Sequence, residues 1–557
     1  MTATIEKKKA ANEWADSVKG IIVAFTFALV FRAFVIEGFE IPTGSMAPTL
    51  MGQHTLITSP ATGYTWPAGP APNSYAGPDR APSRKQSYRT VDPMSGAEYT
   101  ARDQPLRAGD MVFILKYLFP LFTPSRYDVV VFKNPRDPSM NYIKRLIGLG
   151  PEELAIVDGD VFSRPIVSGS APAAGESTWS MPGWKVTRKP ESVQRTMWQP
   201  VFDTAFTPLT SAKDGRIWFR SPWKPQKPSD WTITDTAQYA HKAASPATLS
   251  WDNTVRAISD YYAYNLDFPE DIKRTLSIPL PNGCYPVSDV RVRVGYQPGA
   301  EAAGKPLSLT LAARAHQFRW SVADNIATIE MRPAAPADSP WELLSKSESS
   351  APLKFVAGVT TDLEFWHTDQ SLSIFVNGKL VASGEYNWTL DQRLTFSMGL
   401  TVNEVVNTPV NLLTNYPRYS RPGVAINVPG VCQFSYISLD RDIHYQAADY
   451  PSRNDATPSS APGPHSRSGQ PAAATHPRQP IFLNEGEYFM CGDNSPSSLD
   501  ARLWDAPFAW VGQDDNKTGV IGRDALIGHA FVVYFPGAYW RTGPIPVPDA
   551  GRVRLIR

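Results

Sequence analysis

The sequence predicts a mainly β protein behind one N-terminal transmembrane helix, with a jelly-roll β-sandwich inserted into a first β domain. Three observations predict it. One long apolar run lies near the N-terminus, 52 prolines and 37 glycines punctuate short apolar stretches, and those stretches alternate apolar and polar residues between about 195 and 445. At 557 residues the chain exceeds the usual size of one domain. Lys+Arg 54 against Asp+Glu 53 leaves a net charge of +1, so the basic excess that nucleic-acid binding requires is absent and no such partner is expected. Cys284, Cys432 and Cys491 make no C-x-x-C pair and no H-E-x-x-H occurs, so neither a metal nor another cofactor is expected. Cys284 and Cys432 could pair outside the cytoplasm, but the odd total and the lack of a spacing pattern favour separate buried thiols.

Residues 18–36, VKGIIVAFTFALVFRAFVI, have the length needed to cross a hydrocarbon core. Lys7, Lys8, Lys9 and Lys19 precede the run and Glu37 and Glu40 follow it, which places residues 1–17 in the cytoplasm and the rest outside. Arg32 can snorkel to the outer headgroups. A cleaved signal peptide is the competing reading, but no small-x-small site follows the apolar part.

Next comes IPTGSMAPTL, residues 41–50. Pro42 and Pro48 restrict the backbone and Gly44 permits a bend, so Ser45 is expected on a rigid, exposed turn, as a nucleophile requires. The eight histidines form no evident Ser/His/Asp arrangement with it, which leaves a lysine of depressed pKa as the base. YDVVVFKNP, residues 127–135, and the following NYIKRLIGLGPEEL contain two strands, with Lys144 and Arg145 on opposite faces so that one must face inward. Arginine cannot usefully deprotonate, so Lys144 is the possible base, with Ile143, Leu146 and Ile147 as apolar company. Taken singly, Lys144 would be a solvated strand lysine and the later Asp500 and Arg502 a surface ion pair.

Four stretches in order argue otherwise: IPTGSMAPTL, YDVVVFKNP, YIKRLIGLGPEEL and MCGDNSPSSLDARLW. Together, behind an N-terminal anchor, they resemble the boxes of bacterial type I signal peptidases, the leader peptidases of the Ser/Lys protease family. The resemblance covers about 14–58, 106–165 and 478–545 and implies a signal-peptidase-like β catalytic domain in two parts, 37–165 and 479–557. It implies that Ser45 is the nucleophile and Lys144 the general base. The Ser45 N–H and the Thr43 hydroxyl would form the oxyanion hole, and Ser498 would orient the lysine amine. Asp500 with Arg502, and Asp493 with Asn494, would support the site. It also implies preprotein substrates with small residues at P3 and P1, and a single-pass location in the bacterial cytoplasmic (inner) membrane with the catalytic domain on the periplasmic side. Two positions depart from the family pattern: Ser495-Pro496 stands where an arginine often follows Gly-Asp-Asn, and GLGPEE replaces Gly-Leu-Pro-Gly-Asp.

The remaining length is inserted. Residues 59–100 read as a Pro/Gly-rich loop with little core, and 446–478 as a flexible linker. Within 195–445, DVRVRVGY, LSLTLAA, HQFRWSV, ATIEMR, LEFWHT, LSIFVNGKLVASGEY, LTFSMGL and CQFSYISL read as strands of a sandwich, with a hairpin turn at Asn377-Gly378. The pattern resembles a concanavalin A-like or laminin-G-like jelly roll, which implies a spacer or protein-docking role ahead of a glycan ligand; Trp366, Tyr386 and Trp388 could serve a glycan, but most such aromatics are expected as core or rim packing. Self-cleaving repressors share a Ser/Lys dyad, but an apolar anchor stands where they would need a DNA-binding domain. The non-enzyme alternative is an inactive protease scaffold that presents the sandwich.

Overall fold

The computed structural model describes residues 2–70, 85–116, 123–134, 137–166, 176–208, 212–213, 216–217, 219–234, 238–265, 284–348, 354–450, 469–504, 517–539 and 546–557. The apolar run forms the second half of a helix, Thr2–Phe34, whose segment Asp16–Phe34 is long and apolar enough to cross a membrane. Ile21, Val23, Phe25 and Phe27 are exposed, so nothing among the described residues covers this segment. The helix stops before the apolar run does, because Ile36 opens a strand, Ile36–Glu40. Lys116 secures that exit: its Nζ donates to the Ala33 carbonyl at 2.8 Å and pairs with Glu37 at 2.9 Å, a cation at a helix C-terminus.

The strand after the helix is the edge of an eight-stranded antiparallel sheet. In spatial order it runs Ile36–Glu40, Met111–Lys116, Leu526–Phe535, Val129–Lys133, Asn141–Leu149, Glu487–Cys491 and Ile521–Gly522, with Arg554–Leu555 added beside Leu526–Phe535. Segments from both ends of the chain therefore interleave in one sheet. Val130, Phe132, Leu146 and Met490 join one apolar cluster, and Val112, Ile114, Val129 and Val131 join another. With both sides covered, Lys144 and Arg145 are both buried, where strand alternation alone admitted only one. A second sheet, Lys185–Val186, Asp160–Pro165, Glu152–Val157 and Ile481–Leu483, packs on through Leu154, Ile156 and Leu483.

Residues between 199 and 441 supply the sandwich. One sheet orders Trp231–Thr234, Gln238–His241, Cys432–Arg441, Val290–Pro298, Thr361–Thr368, Ser371–Val376 and Lys379–Glu385, with Gln199–Asp203 also on Cys432–Arg441. The other orders Trp223–Pro225, Ala247–Trp251, Gly423–Val428, Leu307–Ala313, His316–Ala323, Ile326–Pro333 and Glu342–Glu348. A single apolar core lies between them, and His316–Ala323 alternates buried and half-buried along its whole length. Asn377 and Gly378 both have positive φ, 47° and 75°, as the two-residue hairpin turn requires.

Three expectations are corrected. LTFSMGL lies not in a strand but largely in a helix, Leu390–Met398, fixed by a capping box between Thr389 and Gln392 and by left-handed Gly399. Trp366, Tyr386 and Trp388, by contrast, are buried in aromatic packing, the core role expected for most of them. Within 59–100, Thr55–Thr58 pairs Thr65–Ala68 and Lys85–Val91 pairs Glu98–Pro105 around buried Ile57, Trp66 and Ala101; residues 71–84 lie outside the described set. In 446–478, Tyr450 and residues 472–476 are buried, because Ala474 accepts from the Ile156 N–H at 2.7 Å and Ala473 donates to the Arg502 carbonyl at 2.8 Å; residues 451–468 lie outside the described set. The cysteines are free thiols, Cys432 and Cys491 buried and Cys284 half-buried.

Candidate active site

Ser45 lies at the centre of a 3-10 turn, Gly44–Met46. Met46, Ala47 and Leu50 are fully buried and root the turn, and Asp110 holds its flanks by accepting from the Ile41 N–H through its carbonyl and from the Met51 N–H through its carboxylate, both at 2.9 Å. Gly44 is required for space: a Cβ there would lie 2.1 Å from the Tyr264 ring. The turn leaves Ser45 half-buried and open to one side.

Lys144 reaches the turn from the strand Asn141–Leu149, opposite Val130, and its Nζ donates to Ser45 Oγ. The lysine is 5% exposed and, among the described residues, makes no ion pair. Burial pushes its pKa down from 10.5 to about 8, with the Asp500 and Asp493 carboxylates offsetting part of that drop. Cys491 remains a neutral thiol, because burial raises its pKa well above the usual value.

The other carboxylates near the lysine are committed elsewhere. Asp500 takes Arg502 at 2.9 Å through each of its oxygens and also accepts the Gly492 N–H at 2.9 Å. Burial works against its charge, yet Arg502 holds its pKa below the usual carboxylate value. Asp493 binds Arg145 at 2.8 and 2.7 Å and also accepts from the Thr49 hydroxyl. Arg502 donates to Ser495 Oγ at 2.8 Å, and that oxygen also accepts the Gln446 N–H at 2.8 Å, so Ser495 is tied into the site without the arginine it replaces.

Asn494 grips the Ser45 turn directly. Its N–H donates to the Ser45 carbonyl at 3.1 Å and its Nδ2 to the Gly44 carbonyl at 3.0 Å. Gly492 lets this segment approach: a Cβ there would lie 2.1 Å from Ser498 Oγ and 2.5 Å from the Ser45 carbonyl oxygen. Ser498 therefore stands close to the Ser45 turn, but among the described residues its buried Oγ has no hydrogen-bond partner, the Lys144 amine included. Thr43 is exposed and its hydroxyl caps nothing. Thus Ser45, Lys144, Asp493, Asn494, Asp500 and Arg502 converge in one connected site, Ser498 borders it, and Thr43 lies on its open side. Sequence reasoning missed Arg145 as the partner of Asp493, and it missed Thr49, Tyr264 and Asn265. For Arg145 the adjacent buried-strand pattern was a usable signal; for Tyr264 and Asn265 there was none.

One other acidic group has ligand-like spacing. Oxygens of Asp160, Asp289 and Asp369 lie within 4.8 Å of one another. Each already has a protein cation: Arg393 on Asp160 at 2.6 Å, Arg314 on Asp289 at 2.7 Å and Lys189 on Asp369 at 2.6 Å. The cluster is a buried ion network joining the sandwich to the first domain.

Comparison with known proteins agrees with this geometry. The family described as "Signal peptidase, peptidase S26" matches residues 14–164 and 440–535. A signal peptidase I of Rickettsia bellii (strain OSU 85-389) is 27% identical over 161 residues, which are 29% of this chain and 42% of the relative. A signal peptidase I of Buchnera aphidicola subsp. Acyrthosiphon pisum is 27% identical over 151 residues, 27% of this chain and 34% of the relative. The chain thus spans less than half the length of these curated relatives. A Bacillus subtilis protein with a galectin-like fold aligns with 44% of this chain and 98% of its own at 6% identity and TM-score 0.23. The two segments that are similar to this family bracket the sandwich in the chain.

Proposed function

We propose that this chain is a membrane-anchored serine endopeptidase that removes N-terminal signal peptides from exported preproteins, cutting after small residues at P3 and P1 with a Ser45/Lys144 dyad. The observation that carries the proposal is the hydrogen bond from a buried, ion-pair-free Lys144 to Ser45 Oγ. Desolvation makes a neutral amine accessible near physiological pH, and that amine takes the serine proton as Oγ attacks the scissile carbonyl. The new oxyanion is met by the Ser45 N–H and the Thr43 hydroxyl. The lysine ammonium then protonates the leaving amine, and the neutral lysine activates the water that hydrolyses the acyl-enzyme. Asp493 and Asp500, each saturated by an arginine, set the position of the segment 491–502 without capturing the lysine.

The anchor fits this use. Ser45 follows the helix end at Phe34 by eleven residues through a strand of the main sheet, so the site is held near the membrane surface where a signal helix would end. The N-terminal lysines support an orientation with the helix start in the cytoplasm and the catalytic domain on the outer side of the cytoplasmic membrane. A substrate in extended form would bind by strand addition.

The test is cleavage of a preprotein with an Ala-x-Ala site by the full chain purified in detergent. Ser45→Ala and Lys144→Ala should each lower turnover by about 10⁴-fold or more, with Thr43→Val costing about 10²–10³-fold. Undiminished cleavage by Ser45→Ala would overturn the nucleophile assignment. A wild-type chain inert on several such substrates would favour the inactive scaffold that presents the sandwich.

A further inference from the structure

Residues 252–265 leave the sandwich and cross to the peptidase domain. Arg256 clamps this strap onto the Lys85–Val91/Glu98–Pro105 hairpin by donating to the Pro93 carbonyl and, at 2.8 Å, to the Met94 carbonyl. From the sandwich side Arg441 donates to the Asp260 carbonyl at 3.0 Å and to that of Tyr261 at 3.2 Å. The strap then delivers Tyr264 and Asn265 to the nucleophile turn. Tyr264, 5% exposed, packs with Ala47 and Met51, fills the space that a Gly44 side chain would need, and donates to the Gln53 carbonyl at 3.2 Å. Its own carbonyl accepts the Gly69 N–H at 2.9 Å. Asn265 and Asn494 exchange two amide hydrogen bonds, both 2.7 Å.

We infer that the inserted sandwich is a working part of the peptidase site: Asn265, acting through Asn494, and Tyr264, acting on Gly44, are positioning residues that aim the Ser45 backbone N–H. The inference rests on the Ser/Lys peptidase reading and deepens it. Its physical chain is short. Asn494 uses one N–H of its side-chain amide on the Gly44 carbonyl and the other on Asn265, while Asn265 returns a hydrogen bond to Asn494 Oδ1. The orientation of the Asn494 amide is therefore set by a residue of the insert. The Gly44–Ser45 peptide is planar and trans, so fixing the Gly44 carbonyl toward Asn494 points the Ser45 N–H the opposite way. Tyr264 closes the remaining freedom, because the glycine that permits the turn would otherwise permit others. A spacer or a detachable docking module would have no reason to place two side chains against the nucleophile.

The experiment uses the full chain in detergent with the same preprotein. Asn265→Ala should lower kcat about tenfold or more with KM within about twofold, because a donor that acts in the transition state is misaimed while substrate contacts remain. The double variant Asn265→Ala/Asn494→Ala should be no worse than Asn494→Ala alone, since both break one chain of contacts. Tyr264→Ala should also fall in kcat, and Tyr264→Phe should recover most of that loss by restoring the ring against Gly44. The pH midpoint of kcat should stay in place in Asn265→Ala, because the surroundings of Lys144 are untouched. If Asn265→Ala fails to fold, Asn265→Asp, which keeps the shape and can still accept from Asn494 but cannot donate to it, carries the same kcat test. Wild-type kcat in both the Asn265 and Tyr264→Ala variants, or additive losses in the double variant, would overturn the inference. Cleavage that survives Ser45→Ala, or an inert wild type, would instead overturn the peptidase reading itself.

Discussion

Among the described residues, two lysines are largely withdrawn from water, and they behave in opposite ways. Lys189, at the junction with the sandwich, lies 2.6 Å from Asp369 and 3.0 Å from Asp442. Burial pulls its pKa down, but the two carboxylates together hold it well above the usual value, so it remains a cation. Lys144, the more deeply buried of the two, touches a serine hydroxyl instead of a carboxylate and falls to about 8. Desolvation alone therefore does not make a base; the disposition of nearby carboxylates decides it. Around Lys144 the two candidates, Asp493 and Asp500, are engaged bidentately by Arg145 and Arg502. These arginines keep acids close enough to organise the turn while denying them to the lysine.

The contrast can be broken most severely at the dyad, where Lys144→Ala removes the base and Lys189→Ala does not. Lys189→Met should instead destabilise folding by about 3–5 kcal/mol, because Asp369 and Asp442 lose their shared cation, while the pH midpoint of cleavage stays in place. Chemical denaturation beside a pH–rate profile separates the two effects, and an unchanged denaturation midpoint would refute the role given to Lys189.

A smaller change should convert one lysine type into the other. In the wild type, kcat/KM should rise about tenfold per pH unit below the Lys144 pKa of about 8 and level off above it, because only the neutral amine is a base. Cys491, whose thiol faces the lysine electrostatically, can be replaced by a carboxylate. Cys491→Asp should then move the midpoint to higher pH and lower cleavage at pH 7. A midpoint that stays at the wild-type pH would show that a neighbouring carboxylate does not control Lys144.

The mildest effect concerns stability. The folded pKa of Lys144 lies below its unfolded value of 10.5, so between about 8 and 10.5 the unfolded chain holds more of that proton and stability gains from Lys144 as pH rises. Below pH 8 the charged amine is a full burden on the fold. Lys144→Met should therefore raise the melting temperature by several degrees near pH 6.5 and lose that advantage towards pH 10.5. An equal gain at both pH values would show that packing, not charge burial, is responsible.

The meeting of Ser45 and Lys144, the proposed dyad, was legible in local sequence because each part sits in a short segment whose own chemistry is distinctive: a serine between Gly44 and Pro48, a lysine inside an apolar strand, and Asp500 with Arg502 two residues apart. The sandwich was equally legible, since alternation in stretches such as His316–Ala323 is a property of the local chain. The failures share a cause. LTFSMGL carries β-forming residues, but the capping box before it and Gly399 after it close a helix. Residues 59–100 look like coil because Pro and Gly dominate, while Trp66 and Ala101 find a core only when Ala263 of the distant strap joins them.

By itself, then, the sequence determined the apolar N-terminal helix, the order of the four boxes, Ser45 and Lys144 as the proposed dyad and the β character of the insert, because these depend on residue type and spacing along a few turns of chain. Only the tertiary structure decided which carboxylates are neutralised by arginine, that both Lys144 and Arg145 are buried, and that Tyr264 and Asn265 meet Gly44 and Asn494. Those outcomes depend on desolvation and on hydrogen bonds between residues hundreds of positions apart, and neither is encoded in any local stretch.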